Sequence, residues 1–327
     1  MKLVTFQSAD GPRAGVLAGK SAGETVLDAG ALLGGAPLRD IGALLESSPD
    51  AIDRLKKALM ATSGSGGVPL AGTKLCAPIL RPPTVRDFFA YEGHASMGGA
   101  WKLHEAWYRL PVFYFSNPLC IYGPDEDIPF PSTTGKFDFE LELAVVIGRE
   151  GRNVAAKDAW NHIAGFTIMN DWSSRDLQRD EMQTNVGASK GKDAATSLGP
   201  CVVTRDELAP HIRDGRLHLN ASLKVNSVEW VAGETGSVHH DWPAMIERAS
   251  RDSRIVPGDV IGAGTITGGS IGEAMRLGKA ARYLQPGDVV EINIEGLGTL
   301  RNTLTPPMLS AEGYRFMPPV KKSSESK

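Results

Sequence analysis

Three carboxylates alternate with large apolar residues in the segment KFDFELELAVVIG, residues 136–148. The acidic residues are Asp138, Glu140 and Glu142, and phenylalanine or leucine stands beside each of them. A period of two is typical of a β-strand, in which residues i and i+2 point to the same side. One side of the predicted strand therefore carries three like charges. Residues 144–147 are wholly apolar, which indicates that the strand then enters a core.

Like charges on one strand face destabilise the strand, and burial raises that cost unless a cation lies between them. Arginine or lysine partners, a shared proton or a metal ion would each compensate. A hard divalent cation such as Mg²⁺, Ca²⁺ or Mn²⁺ prefers several carboxylate oxygens. The competing interpretation is the solvated outer face of an edge strand, and the strand alone favours neither.

A second acidic segment favours a functional site. Asp171 ends the apolar run GFTIMN, at the end of a predicted strand. The following residues are typical of a helix start, so Arg175 and Gln178, three apart, are expected on one helix face. The acidic residues on the other faces of this helix are interpreted as solvated surface: Asp176, Asp180 and Glu181.

Two further segments carry candidate groups. Asp87 and His94 lie seven residues apart in RDFFAYEGHASMGG, where flanking glycines indicate a mobile segment. The glycine-dense segment GAGTITGGSIGE (262–273) lacks the Gly-Lys-Ser/Thr of a P-loop and the dinucleotide-binding fingerprint. It predicts instead a loop that holds Thr265 close to a ligand.

Composition excludes several classes of protein. The chain has 327 residues, 42% of them apolar and 22% charged, with a net charge of −3, so neither nucleic acid nor a membrane surface is an expected partner. Its three cysteines show no CxxC spacing, which argues against a disulfide framework or a zinc site. We find no signal-peptide pattern and no apolar run of about 18 residues. These features predict a cytoplasmic protein.

The pattern of elements predicts a small N-terminal domain and a larger, mostly β domain. Residues 1–20 are typical of a hairpin, and the small-residue stretch within 61–72 is a candidate boundary. Many short apolar segments follow, and two PGD turns precede strands. The predicted domains and further helices are listed by residue number: N-terminal domain 1–72, main domain 73–317, disordered tail 318–327, helices 155–162, 206–213 and 242–250.

Several of these segments together resemble the fumarylacetoacetate hydrolase family. FELELAVVIG, GFTIMNDWSSRDLQ, KGKDAATSLGP and PGDVIGAGTITGG occur in that family's order, over about residues 80–305. The resemblance implies an α+β, mostly β fold: a mixed β-roll catalytic domain, normally a homodimer, with a small N-terminal α+β domain. The seven-residue step from Asp87 to His94 is similar to the fumarylacetoacetase branch.

The resemblance also implies a divalent metal site, with Mg²⁺ or Ca²⁺ as the expected ion and Mn²⁺ as an alternative. Its ligands would be Asp87, Glu140, Glu142 and Asp171. Asp138 has no ligand counterpart, so we expect it either to support a ligand or to face solvent.

The catalytic roles implied by the resemblance centre on His94, the general base that activates water. A glutamate three residues after it, the partner in one branch, is replaced here by Met97, so Glu273 of the GSIGE segment is expected to be its partner. The residues expected to stabilise an oxyanion are Arg175, Gln178 and Lys192. The residues expected to contact substrate are Tyr114, Thr265 and Phe89, the last standing where that branch has a tyrosine.

The implied reaction is hydrolysis of the C–C bond of a 1,3-diketo acid, fumarylacetoacetate-like or acylpyruvate-like, in aromatic catabolism. Two alternatives stay open. The same superfamily includes 2-oxo acid decarboxylases and hydratases or isomerases, and His94 with Glu273 favours the hydrolase over them. A metal-binding protein without catalysis is the other alternative, which the presence of His94, Glu273 and Lys192 disfavours.

Overall fold

The computed structural model describes residues 1–19, 24–62 and 66–316. The predicted disordered tail, residues 318–327, lies outside these residues. Among the described residues, we find no helix that is long and apolar enough to span a membrane.

The N-terminal residues alternate strands with short helices: β1 (Lys2–Ser8), β2 (Gly11–Ala18), β3 (Thr25–Asp28), α1 (Ala29–Leu32), α2 (Ile41–Ser47), α3 (Ala51–Ala61), β4 (Val68–Pro69) and β5 (Leu75–Cys76). The middle of the chain contains β6 (Val85–Phe88), α4 (Glu92–Ala95), α5 (Glu105–Arg109), β7 (Phe113–Ser116), β8 (Ile121–Tyr122), β9 (Asp127–Pro129), β10 (Phe137–Asp138), β11 (Glu140–Ile147), β12 (Ile163–Asp171), β13 (Ser173–Ser174) and α6 (Arg175–Met182). The last part contains β14 (Thr196–Thr204), β15 (Ile212–Arg213), β16 (Arg216–Leu217), β17 (Asn220–Val225), β18 (Val228–Glu234), α7 (Trp242–Ser250), β19 (Val260–Ser270), α8 (Ile271–Arg276), β20 (Val289–Ile294) and β21 (Gly298–Thr305).

Most strands join one large sheet, in the order β4-β3-β2-β1-β14-β12-β11-β19-β6-β7, with β5 beside β1 and β8 beside β14. A second sheet has the order β18-β17-β20-β21-β9. Strands far apart in the chain are therefore neighbours: β11 pairs antiparallel with β12 and β19, and β19 pairs parallel with β6. The predicted α+β, mostly β class is confirmed.

Both faces of β11 are buried, which explains why its sequence turns wholly apolar. Leu143 and Val145 belong to the core that includes residues of β17, β20 and α7. Ala144 and Val146, on the other face, belong to the core that includes β1, α2 and α3. Glu140 and its neighbours on that second face are therefore inside the protein, and the solvated-edge interpretation is wrong.

The N-terminal elements continue the large sheet rather than standing apart from it. The predicted hairpin is confirmed as β1 and β2, and β1 pairs with β14 through Leu3 and Val202. Asp40, the N-cap of α2, accepts a hydrogen bond from Ala43 N at 2.8 Å and begins a helix that covers the sheet. The boundary near residues 61–72 stays a prediction, since 63–65 lie outside the described residues.

One of the three predicted helices is confirmed in full. Residues 242–250 form α7, with Asp241 as its N-cap. Residues 155–162 contain a 3₁₀ helix, Ala156–Asn161. The prediction for 206–213 is wrong beyond one 3₁₀ turn, Ala209–His211, because Pro210 cannot donate a backbone hydrogen bond within a longer helix.

Gly264 of β19 is a position where alanine should be strongly destabilising. Its φ is +89°, and an added Cβ would lie 2.1 Å from the carbonyl oxygen of Phe88. We expect Gly264→Ala to lower the free energy of unfolding by about 2–4 kcal/mol in urea titrations. Gly287→Ala is the matched control, since φ is +94° there with no atom within 4 Å of the added Cβ, and it should cost about 1–2 kcal/mol. Equal losses would show that the clash does not matter.

Candidate active site

Neighbouring strands bring four carboxylates to one place. Glu140 and Glu142 begin β11, Asp171 ends β12, and Asp87 lies on β6 opposite Gly262 of β19. Oxygen atoms of Asp87, Glu140 and Glu142 lie within 4.8 Å of one another. All four side chains are buried. At the start of β11, one face therefore carries the acidic residues of the cluster and the other carries apolar residues.

Burial and mutual repulsion raise the pKa of most of this cluster. Burial, then the charges of Asp171 and Glu140, raises the pKa of Asp87 to about 8. Burial and the nearby Asp87 and Glu140 hold the pKa of Glu142 well above its usual value. Burial raises the pKa of Asp171 as well, against the opposing effect of Lys192. Without added positive charge, the cluster therefore binds protons at neutral pH.

Two cationic side chains supply part of the compensation, and Glu140 contacts both. Lys192 Nζ donates to Glu140 Oε2 at 2.5 Å and to Asp171 Oδ2 at 3.0 Å. Arg175 lies 2.8 Å from Glu140 Oε1. Burial opposes ionisation of Glu140, but Lys192 and Arg175 outweigh it and lower its pKa. Arg175 also donates to Gln178 Oε1 at 2.9 Å, so the two residues share a helix face as predicted.

The other three carboxylates each have one bonded oxygen and one that is left over. Oδ2 of Asp87 accepts from Tyr114 at 2.8 Å, and Oε1 of Glu142 accepts from Thr265 at 3.2 Å. Oδ2 of Asp171 contacts Lys192 and Tyr114. Among the described residues, Asp87 Oδ1, Glu142 Oε2 and Asp171 Oδ1 have no hydrogen-bond partner. Buried oxygens without donors are costly, and carboxylate oxygens are the ligands that a hard divalent cation prefers.

Tyr114 and Thr265, both predicted to contact substrate, also hold this cluster. Tyr114 pairs with Asp87 across β6 and β7, and its hydroxyl lies between Asp87 Oδ2 and Asp171 Oδ2. Thr265 pairs with Glu142 across β11 and β19. Strand register therefore explains why a hydroxyl stands opposite each of these carboxylates.

His94 and Glu273 form a hydrogen-bonded pair across the site. His94 Nδ1 lies 2.6 Å from Glu273 Oε2 although 179 residues separate them in sequence. Glu273 also accepts from Gly268 N and from the hydroxyl of Ser270, each at 2.8 Å. Burial opposes its ionisation, but the bond with His94 and these donors lower its pKa. Ser270 caps the helix that carries Glu273, in the Ser-x-x-Glu pattern of a capping box.

Ten of the twelve predicted site residues line one cavity of about 60 Å³. They are Asp87, Phe89, His94, Tyr114, Glu140, Glu142, Arg175, Gln178, Lys192 and Thr265. The other two, Glu273 and Asp171, bond to residues of that lining. Phe89 packs edge-to-face on the His94 ring, with 5.5 Å between the ring centroids.

Three acidic residues have contacts that the sequence analysis left open or missed. Asp138 is buried and accepts from Arg175 Nε at 2.6 Å and from Ile271 N at 2.9 Å, so it supports two parts of the site. Asp176, predicted as solvated surface, is half-buried and accepts from Gly135 N at 2.9 Å. Glu181, also predicted as solvated surface, is half-buried too. Its carboxylate binds the backbone of the loop that leads to Lys192.

The comparisons with known proteins agree with this geometry. Residues 84–305 match the model of the family described as "Fumarylacetoacetate (FAA) hydrolase C-terminal". This chain belongs to the fumarylacetoacetate hydrolase family. The family model spans every cavity-lining residue named above, so the resemblance found in the sequence motifs is confirmed.

Curated relatives within the family carry a narrower name. The chain is 30% identical over 304 residues to "Oxaloacetate tautomerase fahd2, mitochondrial" of Xenopus laevis, covering 92% of this chain and 89% of the relative. It is 30% identical over 245 residues to "Oxaloacetate tautomerase YisK" of Bacillus subtilis, covering 74% and 76%. The comparisons therefore support an enzyme of this superfamily. The superfamily includes tautomerases, so the comparisons do not single out one reaction.

A solved structure confirms the fumarylacetoacetate hydrolase fold. A fumarylacetoacetate hydrolase from Exiguobacterium antarcticum superposes with a TM-score of 0.71 and 26% identity, covering 94% of this chain and 99% of the other. The neighbour therefore matches the N-terminal elements as well as the region of the family model.

Proposed function

We propose that this family member is a metal-dependent hydrolase that cleaves the C–C bond of a 1,3-diketo acid, of the fumarylacetoacetate or acylpyruvate type. The observation that supports it most is the 2.6 Å contact between His94 and Glu273 beside a cluster of buried carboxylates. A histidine held by a carboxylate is a suitable base for activating water.

The bonding of Glu273 determines what His94 can do. The pKa of Glu273 is lowered, so this carboxylate is ionised at neutral pH and would accept a hydrogen bond from the Nδ1–H of His94. A neutral imidazole that donates through Nδ1 has its acceptor lone pair on Nε2. Since His94 lines the cavity, Nε2 is the atom that would take a proton from a water molecule there.

Asp87, Glu140, Glu142 and Asp171 would hold the metal. The unsatisfied oxygens of Asp87, Glu142 and Asp171 fit that role, whereas both oxygens of Glu140 already contact Lys192 or Arg175. We propose Mg²⁺ or Ca²⁺, with Mn²⁺ as the alternative. When bound, such a cation supplies Lewis-acid polarisation of the substrate's carbonyl oxygens. Lys192 and Arg175 would stabilise negative charge that develops on the attacked carbonyl, with Gln178 oriented by Arg175 as a further donor.

Oxaloacetate tautomerisation is the second candidate, and the names of the curated relatives favour it. This reaction moves a proton between carbon and oxygen of a 2-oxo acid, and His94 could also serve as that base. Oxaloacetate decarboxylation stays open as an alternative because the superfamily resemblance in the sequence implies it. We further propose a cytoplasmic homodimer with a role in aromatic catabolism, although several curated relatives carry mitochondrial names.

Turnover of a substrate panel tests the proposal. Acetylpyruvate, fumarylpyruvate, fumarylacetoacetate and oxaloacetate would be incubated with enzyme and Mg²⁺ or Mn²⁺, with EDTA as the control. Metal-dependent loss of diketo-acid absorbance with two products identified by chromatography supports the hydrolase. Accelerated interconversion of oxaloacetate tautomers, with diketo acids untouched, would move the assignment to the tautomerase. Release of CO₂ would indicate the decarboxylase.

A further inference from the structure

The carboxylate of Glu181 accepts hydrogen bonds from three consecutive backbone amides. Oε2 accepts from Ser189 N and Gly191 N, each at 3.0 Å, and Oε1 accepts from Lys190 N at 2.6 Å. Glu181 lies in the last turn of α6, the helix that begins with Arg175. One side chain therefore binds the backbone of a whole turn, as a carboxylate in an amide nest does.

The next residue of that turn is Lys192, the buried lysine of the site. The turn is a 3₁₀ helix, Lys190–Lys192, and Lys192 is 3% exposed. Gly191 lies directly on α6, because an added Cβ there would be 2.7 Å from Gln178 N. The helix that presents Arg175 and Gln178 to the cavity thus also fixes the start of the segment that presents Lys192.

We propose that Glu181 is a positioning residue for Lys192. The segment between α6 and this turn has exposed residues, among them Val186 at 84%, so its own packing does little to fix the turn. Three bonds to one ionised carboxylate are charge-assisted and offset the entropy of ordering that backbone. Without them, Lys192 Nζ would lose its fixed distance to Glu140 and Asp171. The catalytic consequence rests on the proposed function, whereas the effect on the position of Lys192 does not.

The matched variants are Glu181→Ala, Glu181→Gln and Asp180→Ala. Glutamine fits the same space but has one acceptor oxygen, and its amide group would face donors. Asp180 is the adjacent acidic residue on the same helix, and its contacts are Arg179 at 3.8 Å and Gln183 Nε2 at 3.5 Å. Asp180→Ala removes an equal charge without touching the loop amides.

Lysine acetylation measures the position of Lys192 without reference to activity. The protein would be treated briefly with an acetylating N-hydroxysuccinimide ester, and labelling of each lysine measured by peptide mass spectrometry. Lys224, exposed on β17 and outside the turn that Glu181 binds, is the internal reference. We expect labelling of Lys192 relative to Lys224 to rise about tenfold in Glu181→Ala and less in Glu181→Gln, and to stay unchanged in Asp180→Ala. Unchanged labelling of Lys192 in Glu181→Ala would overturn the proposal.

Kinetics test the catalytic consequence on whichever panel substrate is turned over. We expect Glu181→Ala to lower kcat about 10- to 100-fold with little change in KM, and Asp180→Ala to lower neither. In a Lys192→Met background the effect of Glu181→Ala should largely disappear, since the two act as a unit. A full effect in that background would refute action through Lys192. If wild type turns over no substrate, the proposed function fails, while the labelling result still decides the positioning role.

Discussion

Replacing His94 with alanine is expected to lower kcat for the diketo acid proposed as substrate by about 10²- to 10⁴-fold, the usual contribution of a general base. The physical reason is the pairing of Nδ1 with Glu273, which would leave Nε2 of His94 as the proton acceptor in the cavity that this residue lines. Initial rates at saturating substrate and metal would measure the loss. His162→Ala is a matched control, because its Nδ1 bonds to Arg149 O, outside the lining of the site cavity.

Glu273→Gln separates the orientation of His94 from its presence. Glutamine keeps the volume but not the charge, so the Nδ1 proton of His94 is held less firmly and kcat should fall about 10- to 100-fold. The kcat of the double variant His94→Ala/Glu273→Gln should be no lower than that of His94→Ala alone, since Glu273 acts through His94. Undiminished C–C cleavage in His94→Ala would remove this residue as the base and leave the hydrolase mechanism without its central group.

Local sequence pattern was sufficient to place part of the carboxylate cluster. Alternation in residues 137–143 puts Glu140 and Glu142 on one strand face whatever surrounds the strand. This alternation does not predict that both faces of the strand are buried, because the residues that cover them come from elements as distant as α2 and β20. The alternation therefore predicted orientation, and only the packed structure excluded a solvated edge.

The contacts of Asp138 and Glu181 show where pattern reasoning fails. Glu181 lies three residues after Gln178 in α6, so the two share a helix face by the rule that also pairs Arg175 with Gln178. The interpretation of Glu181 as solvated surface overlooked this, and it took no account of a loop folding back over the helix end. Asp138 bonds to Ile271, 133 residues away, through a backbone amide that leaves no trace in side-chain patterns. A signal was available for Glu181, since ordered loops need partners for their amides. The sequence does not say which carboxylate supplies them.

Adding Mg²⁺ or Mn²⁺ to the metal-free protein is expected to raise Tm, and to raise it more at alkaline than at acidic pH. Burial and neighbouring carboxylates raise the pKa of Asp87 to about 8, and that of Glu142 also lies well above its usual value. Because the folded-state pKa of Asp87 exceeds the unfolded one, its contribution to stability is complete below about pH 4 and is lost as pH rises through about 8, and the contribution of Glu142 falls with rising pH in the same direction. The metal-free protein should therefore become less stable as its carboxylates ionise. The same ionisation strengthens metal binding, because a cation binds the ionised carboxylates.

Thermal unfolding at about pH 6 and about pH 9, with EDTA or with one fixed metal concentration, roughly 100 times the Kd at about pH 9, tests this expectation. At about pH 9 this concentration adds about 2.7 kcal/mol, a rise in Tm of roughly 4 °C for a chain of this size, and it should add less at about pH 6, where protons compete with the metal. Glu142→Gln should have opposite effects on the stability of the metal-free and the metal-bound protein. Removing one buried charge should stabilise the metal-free protein at alkaline pH, while the loss of a ligand oxygen weakens the response to metal. A variant that keeps the full metal response would show that Glu142 is not a ligand, and that its unsatisfied oxygen is served by a proton instead.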